Sequence, residues 1–482
     1  MKPMQQETSP EWAQSHARTE DAHCVEVAMT DMRGWEDCSD LASAHSGRHS
    51  ARSRDGGSVA RKRPAGGVAT EPTGALWTLL GRIVTFGRLA VIDPAGRTHV
   101  FGPGPEPAVT VRIRDRATLI RIWLNPSLAV GEAYMDGGLT IEEGSLRDFL
   151  SICVNAAEFL DAHPLHAAAS KLLWPLRSFQ QHNPIRRARI NVAHHYDLSG
   201  ELYDLFLDVD RQYSCAYFPK GTETLEEAQA KKKQHIAAKL LLQPGMDVLD
   251  IGSGWGGLAI ELARQGARNV TGITLSQEQL KVSTERAEAA ELGHRVRFHL
   301  RDYREERQNY DRIVSVGMLE HVGIGDYDTF FRTVRRSLRP DGVALVHAIG
   351  RMERPGTTNA WLRKYIFPGG YCPALSEVLA SVERTGLWVT DVEILRLHYA
   401  ETLRHWFLRF QSNRERAKML YDERFCRMWE FYLAACEMSF RYGRMMVFQI
   451  QLACSRHAVP LSRDYITDTE RRLAKAAVQQ TV

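Results

Sequence analysis

An apolar strand that runs straight into a glycine turn, MDVLDIGSGWGG at residues 246 to 257, constrains this chain more than any other stretch. Gly252, Gly254 and Gly256 lack a Cβ, so the backbone can turn sharply there and approach a ligand closely. The predicted helix from Gly257 to Arg264 offers that ligand its unpaired N–H groups, and Asp250 falls where the strand ends. Taken alone, such a loop fits dinucleotide and nucleoside cofactors alike.

The next hundred residues separate the two. A second strand, Asn269 to Ile273, ends in TLSQEQ rather than in the acidic residue a nicotinamide-binding unit places about twenty residues on. RVRFHLRDY reads as a third strand ending at Asp302 and Tyr303, a carboxylate and a ring suited to the edge and face of an adenine. YDRIVSVGMLEHVG is a fourth strand. A helix follows from about Asp326 to Leu338, then an RPDG turn and GVALVHAIG as a fifth strand. Helix and strand signals therefore alternate, which predicts an α/β fold on a doubly wound sheet. In this order the segment resembles the class I S-adenosylmethionine methyltransferases.

Longer phrases narrow the likeness. YSCAYF (213 to 218), LDIGSGWGG (249 to 257), TLSQEQ (274 to 279), DYREERQNYDRIVSVGMLEHVG (302 to 323) and HYAETLRHW (398 to 406) are similar to the cyclopropane-fatty-acyl-phospholipid synthase family. The matching words span residues 185 to 457, and Gly81 to Leu150 resembles that family's small N-terminal domain. The resemblance implies a class I methyltransferase (Rossmann-like) seven-stranded sheet with helical acyl-pocket insertions, preceded by a small α+β domain. Composition adds a poorly ordered extension over 1–72 and, from Pro164, Pro175 and Pro184, a partly helical linker over 161–189, so the small domain is expected over 73–160 and the catalytic domain over 190–470. The implied reaction is cyclopropanation of unsaturated phospholipid acyl chains with S-adenosylmethionine as methyl donor. Family members that branch an acyl chain with a methyl group share most of these words, and a non-catalytic lipid- or cofactor-binding protein is the rival from another class.

The same resemblance assigns the site. A bicarbonate base would be held by Glu320 in MLEHVG, His347 in HAIG and Tyr399 in HYAETL, with Cys215 in YSCAYF and Ile349 contributing backbone N–H groups. Methyl-donor contacts would come from Tyr213, Ser214, Asp250, Gly252, Gly254, Gly256, Thr274, Leu275, Ser276, Gln279, Asp302 and Tyr303. Cys436 matches a cysteine sometimes treated as a nucleophile, yet FYLAACEMSF is an apolar helical run with no basic neighbour, which predicts an inert buried thiol. His321 reads as structural, and a lone His347 or Tyr399 would suit an ordinary core; it is their joint occurrence that points to a site. Ser199 and Gly200 stand where the family usually shows Gly-Asn.

The remainder of the chain sets limits. Residues 1 to 70 contain seven Val, Leu or Trp residues and no Ile, Phe or Tyr, too little apolar surface to offset chain entropy, so a poorly ordered extension is expected. From Trp77 the pattern changes: RIVTFGRLAVIDPAGRTHVFG pairs strands around a PAG turn, VTVRIRD alternates, and SLAVGEAYMDGGLTIEEGSLRDFL adds a helix. No apolar run is long enough to cross a bilayer and no segment reads as a signal peptide, which predicts a cytoplasmic protein. The eight cysteines show no C-x-x-C spacing, which predicts reduced thiols and no metal. A formal charge of +4 is too small to argue for nucleic acid. Arginines 186, 187 and 189 and lysines 231 to 233 could attract anionic headgroups, although a solvated face is the commoner fate of such runs. The expected partners are unsaturated phospholipids at the inner membrane surface, and the sequence leaves a homodimer open. Residues 364 to 378 and the helices from Leu403 to Phe440 are the expected walls of an acyl tunnel, with FPGG as a hinge.

Overall fold

The computed structural model describes residues 72–161 and 200–479. Apart from Pro72 and Asp161, the expected extension and linker lie outside the described residues, and the arginines at 186, 187 and 189 with them.

The first described part carries a four-stranded sheet in the order β2-β1-β3-β4. Its strands are β1 (Arg88–Ile92), β2 (Thr98–Phe101), β3 (Ala108–Ile113) and β4 (Leu139–Glu143). β1 and β2 pair antiparallel around the PAG turn. Asp93 builds that turn, because its buried carboxylate accepts from Ala95 N, Arg97 N and Arg97 Nε, each at 2.9 Å. Alternation along β3 turns Val109, Val111 and Ile113 into the core. Helices Pro72–Ile83, Arg116–Leu124, Pro126–Met135 and Leu146–Asp161 complete this part.

The second sheet has seven strands, β5 (Asp247–Ile251), β6 (Asn269–Thr274), β7 (Val296–Leu300), β8 (Tyr310–Val316), β9 (Leu338–Arg351), β10 (Trp388–Leu395) and β11 (Met445–Ala453). Their order is β10-β11-β9-β8-β5-β6-β7, and every neighbouring pair is parallel except those that include β11. The alternation read from the sequence is present. The helix expected over 326 to 338 spans Tyr327–Ser337, and the RPDG phrase is taken into β9 instead of standing as a separate turn. After β7 the chain crosses from one side of β5 to the other, and such a switch point leaves a crevice at the carboxyl ends of the central strands.

The two sheets meet through helix Glu423–Arg441, which packs on helices Pro126–Met135, Leu146–Asp161 and His398–Ser412. Tyr134 Oη donates to Glu430 Oε2 at 3.0 Å. Arg147 forms a two-bond fork with the fully buried Glu437, Nε to Oε2 at 2.9 Å and Nη2 to Oε1 at 2.5 Å. Arg441 Nη2 donates to the same carboxylate at 3.1 Å, so one cation remains if the fork is cut. Arg147→Ala should therefore lower stability by about 1–3 kcal/mol, seen as a lower urea midpoint. Arg112→Ala, which cuts the exposed pair with Glu142, should leave the midpoint essentially unchanged. Equal midpoints for the two variants would mean that the fork contributes nothing to the docking.

Among the described residues no helix is long and apolar enough to cross a membrane. The six described cysteines, at 153, 215, 372, 426, 436 and 454, are free, and no described cluster of His, Cys, Asp and Glu could hold a metal ion.

Candidate active site

A cavity lies at the carboxyl ends of β5, β6 and β8, walled by the glycine loop, the segment Arg211–Ser214 and the turn after β7. The loop is fastened to the next strand: Gly252 N and Ser253 N both donate to Ile273 O, at 2.9 and 3.0 Å, and Gly256 N donates to Ser253 O at 3.0 Å. Its three predicted glycines have positive φ but different tasks. A Cβ on Gly252 would stand 3.0 Å from the Met318 side chain, and one on Gly256 would meet Phe298 at 2.7 Å and Ser283 at 2.9 Å. A Cβ on Gly254 would meet nothing within 4 Å, because that residue faces the cavity.

Ten of the twelve expected methyl-donor residues line the cavity: Tyr213, Ser214, Asp250, Gly252, Gly254, Thr274, Leu275, Gln279, Asp302 and Tyr303. Gly256 and Ser276 support it from behind. Gly256 starts helix Gly257–Arg264, and Ser276 Oγ caps helix Gln277–Ala289 by accepting from Gln279 N at 3.2 Å. Thr274 Oγ1 donates to Gln279 Oε1 at 2.8 Å, which fixes both side chains at the wall. Asp250 is buried, and its Oδ2 has no hydrogen-bond partner among the described residues. Burial pushes its carboxyl up to about 7, with the Lys232 charge opposing. An orphaned carboxylate oxygen and an open position at Gly254 fit a cationic nucleoside such as S-adenosylmethionine. Asp302, expected at the adenine edge, already has its carboxylate engaged by Arg304, Nε to Oδ1 and Nη2 to Oδ2, both at 2.8 Å.

Several wall residues escaped the sequence reading, among them Lys232, Gln212, Arg301 and His321. His321, read as structural, lines the cavity, and burial pushes its imidazole down to about 4, so it is neutral near pH 7. The headgroup reading of lysines 231 to 233 is corrected by their partners. Lys231 pairs with Glu223 at 2.5 Å, Lys233 pairs with Asp210 at 2.6 Å, and Lys232 is buried. The missing signal was the helical period of Leu225–Lys239: Leu225, Ala228, Gln229, Lys232, His235, Ile236 and Lys239 form one buried stripe.

A second group adjoins β8, β9 and β11. Glu320, just past β8, is buried, and its Oε1 accepts from Ile349 N at 2.6 Å while Oε2 has no partner among the described residues. Burial raises this carboxyl to about 7. His347 sits two residues before Ile349 on β9, facing Gln449 across the β9–β11 register, with Gln449 Nε2 3.1 Å from its Nδ1. With that amide as donor, Nδ1 accepts and the imidazole proton is on Nε2. Burial, with the nearby charges of Lys232 and Lys239, lowers His347 to about 3 and keeps it neutral. Cys372 lies within electrostatic reach of both Glu320 and Cys436.

Tyr399, Tyr213 and Cys436 share the surroundings of the Tyr432 hydroxyl, which is 2.8 Å from that of Tyr213. Tyr399 is buried with its ring edge-on to Trp406 at 5.8 Å. Phe367 of the expected tunnel wall stands 5.7 Å from Tyr432 and 6.4 Å from His321. Cys215 is buried near Lys232 and Thr402, and burial pushes its thiol upward. The Cys436 thiol is likewise pushed up by burial, the opposite of what a nucleophile needs.

A sheet of this order with a nucleoside-sized cavity at its switch point defines a class I S-adenosylmethionine-dependent methyltransferase. The chain belongs to the mycolic acid cyclopropane synthetase family, whose sequence profile matches residues 183–450. Residues 88–163 match a domain of unknown function. The chain is 38% identical over 347 residues to the cyclopropane-fatty-acyl-phospholipid synthase of Escherichia coli strain K12, covering 72% of this chain and 88% of that protein. It is 36% identical over 407 residues to the tuberculostearic acid methyltransferase of Mycobacterium tuberculosis, covering 80% and 93%. The crystal structure of a mycolic acid cyclopropane synthase complexed with S-adenosylhomocysteine and CTAB matches with a TM-score of 0.53 at 36% identity, covering 56% of this chain and 99% of that one.

Proposed function

We propose that this enzyme converts the cis double bond of an unsaturated phospholipid acyl chain into a cyclopropane, using S-adenosylmethionine as methyl donor and a bound bicarbonate as base. The observation that carries the reading is the buried Glu320 carboxylate, one oxygen on the Ile349 N–H and the other unpartnered, in the same region as the neutral His347. Likeness to the Escherichia coli synthase supports the substrate class.

An isolated alkene is a weak nucleophile, so it must be held in line with an electrophilic methyl in a dry pocket, where proximity supplies much of the rate. Attachment of the methyl to one alkene carbon leaves a positive charge on the other, and the ring closes only when a proton leaves the new methyl. Bicarbonate, when bound, supplies a base of sufficient strength for so acidic a proton. The chain's part would be to orient it: Glu320 Oε2 would accept a hydrogen from the ion, and the His347 Nε2–H, the Tyr399 hydroxyl and the N–H groups of Cys215 and Ile349 would serve as donors to it. The Ile349 N–H is donated to Glu320 here, so an ion that used it would displace that bond. The substrate stays in its bilayer, so the enzyme works peripherally at the cytoplasmic face.

Mass spectrometry of lipids from cells expressing the chain tests this reading. The expected result is a gain of one CH₂ per modified acyl chain with loss of its alkene signal. The same gain with the alkene retained would assign methyl branching instead, and unchanged lipids would overturn methyl transfer to acyl chains altogether.

A further inference from the structure

Lys232 is buried on helix Leu225–Lys239 and is one of the residues lining the cavity. Its Nζ donates to Gln212 Oε1 and to Ser214 Oγ, both at 2.8 Å. Both acceptors are neutral, and among the described residues no carboxylate lies within ion-pair distance of Lys232. The contrast is with Lys239 on the same buried stripe, which pairs with Asp391 at 3.2 Å and with Glu393. Two carboxylates whose charge reaches Lys232, Asp208 and Asp210, are engaged elsewhere. Asp208 accepts from Asp210 N and Gln212 N, and Asp210 is held by Lys233, Arg286 and the Gln212 amide. A buried ammonium without a counter-charge is costly, and an ammonium has three donors of which these bonds use two. Burial accordingly lowers Lys232 to about 8.

Asp250, on the same cavity, feels the Lys232 charge, but its Oδ2 has no hydrogen-bond partner among the described residues. A ligand bearing an α-ammonium and an α-carboxylate satisfies both residues at once. We propose that Lys232 is a cofactor-binding residue whose third N–H takes the α-carboxylate of S-adenosylmethionine, with Asp250 receiving the α-ammonium. This rests on the reading of the cavity as the methyl-donor site and assigns how its amino-acid end is recognised. It also gives Gln212 and Ser214 a task, since their bonds to Nζ aim the ammonium and draw the Arg211–Ser214 segment over the ligand.

Calorimetry on the full chain, comparing S-adenosylmethionine with its decarboxylated analogue, tests the assignment without turnover. The unmutated protein should bind S-adenosylmethionine about 10- to 100-fold more tightly than the analogue, the worth of one charge-assisted hydrogen bond. Lys232→Met should lose most of that preference, any loss from freeing the Arg211–Ser214 segment falling on both ligands alike, and Lys232→Arg should restore part of it. Equal affinities in the unmutated protein would overturn the proposal with no variant needed. A preference unchanged in Lys232→Met or in Lys232→Gln would show that Lys232 acts only by holding the wall. If the unmutated protein bound neither ligand, the methyl-donor reading of the cavity would itself fail, a result distinct from either.

Discussion

Turnover should fall by roughly 10²- to 10³-fold when Glu320 is replaced by Gln, with S-adenosylmethionine affinity unchanged, the penalty typical of losing one preorganised contact. The amide cannot offer the anionic acceptor that Oε2 supplies. Folding is not the cause of the loss. Burial raises the Glu320 carboxyl from 4.5 to about 7, so the stability it contributes is present below pH 4.5 and is lost as pH rises through about 7. The variant should therefore melt no lower than the unmutated protein above pH 7. Activity of the unmutated enzyme should rise through the same interval, because protonated Glu320 cannot act as a charged acceptor, while His347 stays neutral throughout. Carbonate-free buffer should lower activity, and added bicarbonate should restore it; full activity in that buffer would remove the ion from the mechanism. Cys436→Ser should keep most of the turnover, since its thiol is held protonated by burial. Abolition by that change with Glu320→Gln active would reverse the roles.

Gly254→Val should weaken S-adenosylmethionine binding by roughly 100-fold or more, as a branched side chain fills space meant for ligand. The φ of +53° is strained for any L residue, at a cost of about 1–2 kcal/mol in the free protein, yet the new Cβ meets no protein atom. Gly256→Ala should behave differently. Its methyl would drive into Phe298 and Ser283, so the melting temperature should fall first and affinity only as a consequence. Matching affinities for the Gly254→Val and unmutated proteins by calorimetry would place the cofactor elsewhere.

The glycine loop was legible because strand, turn and helix follow one another in sequence, and the alternation beyond it announced the α/β class but not the strand order. Chain distance hid the rest. Gly256 and Ser276 are spoken in the same phrases as their neighbours, yet the backbone turns the first toward Phe298 and the second spends its hydroxyl on a helix cap, so both lie behind the wall. Lys232 stood in a run of three lysines whose composition suggests solvent, and only the 3.6-residue period separates the buried member from its paired neighbours. The engagement of Asp302 by Arg304, two residues on, is local in sequence but depends on a short turn that no propensity announces.

Helix Glu423–Arg441 touches both halves of the described chain: Glu430 and Glu437 hold Tyr134 and Arg147, and Tyr432 meets Tyr213 at the cavity. In mechanical terms it is a strut about 28 Å long, pinned at several points along its length. A strut of that kind transmits displacement instead of absorbing it. The small sheet is then no swinging arm; it is the fixed end of a lever, and any tilt of that sheet turns the cofactor cavity by the same angle.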